Sequence, residues 1–133
     1  MRYLLDTDTC IYLLNGRPGS VTETFRRHRV PSIGLSSITT SELRCGAAKS
    51  ASERNRVALE AFLASFQIVA YDDEAARAYG DLRAELERRG KPIGPMDLLI
   101  ATQAIALDLV LVTNNEREFK RVPGLRVENW IRG

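Results

Sequence analysis

Cysteine is scarce in this sequence of 133 residues: Cys10 and Cys45 are the only two, and they form no C-x-x-C pair. That excludes a disulfide framework and leaves two free thiols, the state expected in a reducing cytoplasm. Histidine is scarcer still, with His28 alone, so a zinc centre has no ligand set. No apolar run approaches the ~20 residues that a membrane-spanning helix requires. Asp6 interrupts the N-terminal stretch Arg2-Tyr3-Leu4-Leu5 too early for the apolar core of a secretory signal. A cytoplasmic protein with no membrane partner is expected. Charge of one sign is not in excess either: 19 lysines and arginines against 17 acids give a net charge of +2.

What is present belongs to an ordinary folded chain. Apolar residues make up 44% and charged residues 27%, values typical of globular domains. The length suits a single domain over residues 1–133 with a core of its own. The basic side chains are mostly arginine and cluster at Arg26, Arg27 and Arg29 around His28. Guanidinium forks match phosphate oxygens, which permits a nucleic-acid partner, although a solvated charged face is the simpler account of any one cluster.

Along the chain, apolar strand signals alternate with helical periodicity. Residues 2–5 read as a short buried strand, followed by a helix to about Asn15 that Asp8 or Thr9 would cap and Gly16 and Pro18 would close. A short amphipathic helix over 21–29 precedes a second strand at Ile33–Ser36. Thr39-x-x-Glu42 then has the spacing of a capping box. Leu59, Phe62, Leu63 and Phe66 mark a helix over 54–65, and residues 67–71 a third strand. Residues 73–89 give the clearest helix, with acids in its first turn, Arg88 and Arg89 in its last, and Gly90 and Pro92 after it. Asp97 opens another helix to about Leu107, Leu109–Thr113 reads as a fourth strand, and residues 126–128 as a last short one. Unbroken apolar strands alternating with helices imply a parallel sheet covered on both faces.

The acids fall at the boundaries of these elements. Asp6 follows the first strand, Glu42 the second, and Asp97 opens the helix before the fourth; Asn114, Asn115, Glu116 and Glu118 follow the fourth. Ligands of open α/β sheets gather outside the carboxyl ends of the strands. Each acid also has a structural account, as an Asx turn at Asp6, a capping-box partner at Glu42 and an N-cap at Asp97. If they converge, three carboxylates cannot all stay ionised without strong repulsion. Mg²⁺ or Mn²⁺ relieves it, oxygen-only ligands select such hard cations, and the chemistry served is phosphodiester hydrolysis.

Four motifs in order carry a resemblance. Leu4-Leu5-Asp6-Thr7, Ser37-x-x-Thr40-x-Glu42-Leu43 with Gly46, Gly94-Pro95-Met96-Asp97-Leu98-Leu99-Ile100-Ala101, and Leu111-Val112-Thr113-Asn114-Asn115-x-x-Glu118-Phe119 with Val122-Pro123-Gly124-Leu125 resemble the PIN-domain VapC toxins over nearly the whole chain. The resemblance implies a three-layer α/β/α fold with a central, mainly parallel sheet of four to five strands. It implies a Mg²⁺- or Mn²⁺-dependent endoribonuclease toxin acting on RNA, tRNA being a frequent substrate class, neutralised by a cognate VapB-type antitoxin. It also implies a homodimer and a toxin–antitoxin hetero-oligomer. Asp6, Glu42 and Asp97 fall on the family's three principal acids and are its metal ligands. Many relatives carry Asp where this chain has Asn115; a family variant pairs Asn there with an acid three residues on, which makes Glu118 the fourth catalytic acid. Thr113, Asn115 and Asp8 are supporting polar groups around them.

Two rivals remain in view. Asp6-Thr7-Asp8 imitates the nucleophile motif of haloacid-dehalogenase-like phosphotransferases, but the sequence after Thr113 lacks the acid pair that chemistry needs. A PIN-fold RNA- or protein-binding module with weak catalysis is the alternative that Asn115 supports.

Overall fold

The computed structural model describes residues 1–132. Five strands form one sheet in the order β3-β2-β1-β4-β5, every neighbouring pair parallel. They are β1 (Tyr3–Leu5), β2 (Ile33–Ser36), β3 (Gln67–Val69), β4 (Val110–Val112) and β5 (Val127–Glu128). The helices between them are α1 (Thr7–Asn15), α2 (Gly19–Arg26), α3 (Ser37–Ser50), α4 (Glu53–Leu63), α5 (Asp73–Arg88), α6 (Pro95–Ala106) and the single turn α7 (Glu116–Phe119).

The central strands are apolar without interruption because both of their faces are covered. Side chains alternate across a strand, so Tyr3, Leu5, Val110 and Val112 enter one core with Ile33 and Leu35, against Cys10, Val21, Leu59 and Leu63. Leu4 and Leu111 enter the other, against Leu86, Leu98, Ile100, Ala104 and Phe119. The result is the expected α/β/α arrangement. In α6 Leu98, Ile100, Ala101, Thr102, Gln103 and Ala104 are all buried, as suits a helix lying under its neighbours rather than at the surface.

Helix ends follow their signals unevenly. Gly16 and Gly90 adopt the left-handed conformation (φ 69° and 67°) that stops a helix cleanly at glycine. Three expected caps are different. Asp6, rather than Asp8 or Thr9, caps α1, accepting the Thr7 N–H at 2.7 Å. Ser36 caps α3 through the Ile38 N–H, so Thr39-x-x-Glu42 lies inside the helix and is no capping box. Glu42 thereby sits in the second turn rather than the first. Gly94 occupies the cap position of α6 with no side-chain cap, and Asp97 is a first-turn residue, not the cap.

Of the two free cysteines, Cys10 is buried as a small apolar side chain would be, whereas Cys45 is exposed. His28 lies between aromatic rings, 4.7 Å from Tyr3 and stacked 4.9 Å from Trp130, at the amino end of β1 and away from the acids. Among the described residues, no helix is long and apolar enough to cross a membrane.

Candidate active site

The sheet order fixes where a site can form. From β1 the chain winds outward through β2 and β3, then returns to add β4 and β5 on the other side of β1. The carboxyl ends of β1 and β4 are therefore the switch point, where the connections leave in opposite directions and open a crevice. Asp6 follows β1 and Thr113 follows β4. The pairing of these strands runs on by one bond, Asp6 N–H to the Val112 carbonyl at 2.8 Å, which sets the two side chains together.

Asp6 is 5% exposed. One carboxylate oxygen accepts the Thr7 N–H, and the other accepts the Thr113 hydroxyl at 2.8 Å. Burial raises its pKa to about 6, with the charges of Asp8 and Glu42 adding to the rise and the two hydrogen bonds opposing it. Glu42 reaches the same place from α3 and accepts the Thr7 hydroxyl at 2.7 Å. Asp97 comes from the first turn of α6. Its half-buried carboxyl is pushed up to about 7 by burial first, then by the charges of Asp6, Glu118 and Glu42 and by sharing a hydrogen bond with Glu118. The charges of Asp6, Glu42 and Glu118, carried on separate elements, thus all bear on Asp97.

Glu118 is held differently. Its Oε1 accepts the Gly94 N–H at 2.8 Å and its Oε2 accepts the Asn115 amide at 2.7 Å. The Gly94 bond is the main reason its pKa falls below the ordinary carboxylate value. Within the Asp97–Glu118 pair the proton therefore belongs to Asp97 and the charge to Glu118.

The supporting residues form a frame. Thr113 donates to Asp6 and accepts the Asn115 N–H at 3.0 Å. Asp8 is tied down by the N–H groups of Thr9 (2.7 Å) and Asn114 (3.3 Å), so it braces the β4–α7 loop against α1 while its charge acts on Asp6. Burial raises its pKa as well. Sequence reasoning passed over Thr7, Thr39 and Gly94. Thr7 bonds Glu42 and lies 3.5 Å from the buried Thr39 hydroxyl. The repeated hydroxyl residues beside the acid motifs were the available signal for that pair. It also missed the buried Ser36–Gln103 bond, which joins the end of β2 to α6.

Among the described residues, no three acidic, histidine or cysteine side chains are gathered closely enough to form a ready-made metal cage. The arrangement is an open ring of oxygen donors. Beside it, between α1, α3 and α4, lies a groove of about 420 Å³ lined by Ile11, Leu14, Leu43 and Leu59 and reaching Glu42.

The sequence model of the PIN domain matches residues 3–125. The chain is 44% identical over 131 residues to the tRNA(fMet)-specific endonuclease VapC of Salmonella typhimurium, covering 98% of both chains. It is 43% identical over 132 residues to the ribonuclease VapC2 of Rickettsia felis, again covering 98% of each. In solved structures, it matches a chain of the DNA-bound VapBC of Salmonella typhimurium with a TM-score of 0.92 at 44% identity, over 98% of both chains. Family model, full-length relatives and a shared fold agree: the chain belongs to the PIN domain family, in its VapC branch.

Proposed function

We propose that this chain is the endoribonuclease toxin of a type II toxin–antitoxin module, hydrolysing RNA phosphodiester bonds with Mg²⁺ or Mn²⁺ held at Asp6, Glu42 and Asp97. The observation that carries the reading is the convergence of these acids at the sheet's switch point, where burial first and neighbouring acidic charge second raise Asp6 and Asp97, with no lysine or arginine paired to any of the three among the described residues. Carboxylates raised by burial and by neighbouring acids are a site for an added cation. The donors are all oxygen, which selects a hard dication, and Mg²⁺ keeps several waters and needs only one or two carboxylates, so an open ring suits it. A bound dication supplies an activated water and stabilises charge on the phosphate.

The chain's own residues do the rest. Thr113 and the Thr7 N–H fix the orientation of Asp6, Thr7 fixes Glu42, and Glu118 stands beside Asp97 as a charged acid held by two donors. Outer partners of this kind set the donor geometry and tune affinity. The relatives named as ribonucleases and as a tRNA(fMet)-specific endonuclease support RNA as substrate and tRNA as its class. The neighbours solved as VapBC assemblies support a VapB-type antitoxin as partner in a hetero-oligomer, to which the family resemblance adds a toxin homodimer. The groove ending at Glu42, with exposed Ile11 beside it, offers that partner an apolar seat next to the acids.

The test is cleavage of total cellular RNA by the purified protein in Mg²⁺, Mn²⁺ or EDTA, with Asp97→Asn alongside. Discrete cuts that need metal and vanish in the variant are expected. Identical traces from both proteins would sink the assignment and favour a binding module with weak catalysis.

A further inference from the structure

Gly94 stands where the loop before α6 meets α7, and two facts about it need a reason. Its φ of −56° and ψ of 141° are open to any L-residue, proline included, so the backbone does not require glycine. It also holds the cap position of a twelve-residue helix, where glycine is well tolerated but Ser, Asp or Asn would add a side-chain acceptor. What glycine provides here is space. A Cβ at this position would meet only two atoms within 4 Å, Asp97 Oδ2 and Glu118 Oε1, each at 3.7 Å. The bare Cα thus faces the side of the hydrogen-bonded Asp97–Glu118 pair. Its N–H points the same way, donating to Glu118 Oε1 at 2.8 Å while Asn115 holds Oε2. Glycine is the residue that lets backbone approach a ligand closely.

We propose that Gly94 is a positioning residue of the acid site: its N–H orients Glu118, and its missing side chain keeps one side of the hydrogen-bonded Asp97–Glu118 pair open to the approach of metal-bound RNA. This rests on the nuclease reading above. The two roles separate in two substitutions. Gly94→Ala keeps the N–H and adds a methyl at ordinary contact distance, so it obstructs without straining the fold. Gly94→Pro suits the observed φ, precedes Pro95 with an acceptable ψ, and removes the donor.

The experiment compares full-length wild type, Gly94→Ala, Gly94→Pro, Glu118→Gln and the Gly94→Pro/Glu118→Gln double variant. It measures melting temperature, kcat and KM on one defined RNA that wild type cuts, and affinity for Mn²⁺ alone by calorimetry. Gly94→Ala should melt like wild type and bind Mn²⁺ like it, with KM raised roughly tenfold, the low end for groups around a metal site. Gly94→Pro should lose about 10- to 100-fold in Mn²⁺ affinity and kcat, matching Glu118→Gln. The double variant should be no worse than either, since residues acting through one contact are not additive. An unchanged KM in Gly94→Ala overturns the role of the open side, and this variant decides alone if Gly94→Pro does not fold. Losses that multiply in the double variant overturn the orientation of Glu118. A wild type that neither binds Mn²⁺ nor cuts RNA overturns the nuclease reading and this inference with it. A wild type that does both, with Gly94 variants indistinguishable from it, overturns this inference alone.

Discussion

Acidic side chains are arranged in two opposite ways in this molecule. Along the outer face of α5, Asp73 pairs with Arg77 at 3.2 Å, Glu87 with Arg83 at 3.5 Å, and Glu85 with both Arg88 and Arg89 at 2.6 and 2.7 Å. Every one of those acids has its counter-charge within a turn of the same helix, where solvent does most of the screening. At the carboxyl ends of β1 and β4, Asp6, Asp8, Glu42 and Asp97 have no such partner among the described residues, and burial, complete only at Asp6, takes away part of the solvent as well. A fold rich in arginine could have neutralised this cluster and does not. The uncompensated charge is a cost in stability that an added cation or a bound proton recovers, which ties the energetics of the metal-free protein to its function.

The largest expected effect follows from removing a charge there. Asp97→Asn should reduce RNA cleavage by more than the ~100-fold that outer partners of a metal site cost, measured by initial rates in saturating Mg²⁺. Its effect on stability should have the opposite sign. The raised values of Asp97 (about 7) and Asp6 (about 6) mean that the metal-free fold binds these protons more tightly than the unfolded chain. The stability they contribute is complete below about pH 4 and is lost as pH rises through 6 to 7. In EDTA, then, wild type and Asp97→Asn should melt together near pH 4. The variant should pull ahead with rising pH, reaching a few degrees by pH 8 once solvent screening of this half-exposed group limits the gain to at most ~1 kcal/mol. A gap that narrows as pH rises would show that Asp97 is stabilised by its site, and the contrast with α5 would fall.

Next in size is Thr113, which touches Asp6 without carrying charge. Thr113→Val removes the donor to Asp6 and leaves the Asn115 N–H without its acceptor, so about 1–3 kcal/mol of stability should go with it. Cleavage should fall about 10- to 100-fold. Thr113→Ser keeps the hydroxyl and should restore the rate while leaving part of the packing loss. A serine variant as slow as valine would mean that the methyl group, not the hydrogen bond, is what the site needs.

How far the sequence discloses this site depends on the distance over which each feature is decided. The alternation of strands and helices, the apolar strands and the placement of Asp6, Glu42 and Asp97 after or beside strand ends are local, and all appear in the fold. The five-strand parallel sheet agrees with the expectation drawn from them. Caps are less local. Asp6, Asp8 and Thr9 are equally good cap residues by composition, and the β1–β4 pairing is what seats Asp6 at the helix start. Thr39 and Glu42 have capping-box spacing, yet Ser36 at the end of β2 starts the helix earlier and turns both toward Thr7. The grip of Gly94 on Glu118, beside its local partner Asn115, brings together two points of the chain that meet only in the folded protein, and α7 is too short for periodicity to mark. Gly94 itself reads as a loop glycine; only the carboxylates opposite it give its bareness a meaning.

The smallest effect belongs to the other side of the comparison. Arg77→Ala breaks the Asp73–Arg77 pair, whose side chains are both 82% exposed. Exposed pairs at this helical spacing contribute only about 0.3–0.5 kcal/mol, so the melting temperature should move by about 1–2 °C and RNA cleavage should equal that of wild type. Raising the salt to ~1 M, where the Debye length falls to about 3 Å, should erase even that difference between variant and wild type. Salt should act less on the Asp97→Asn difference in EDTA, because partly buried charges are screened less. If instead Arg77→Ala slowed cleavage or lost well over 1 kcal/mol, the α5 ion pairs would have to act as a network reaching through the helix to α6, which packs against α5. Acids on the two sides of the molecule would then belong to one electrostatic system, and the bare charge at the strand ends could no longer be read as held apart for a cation.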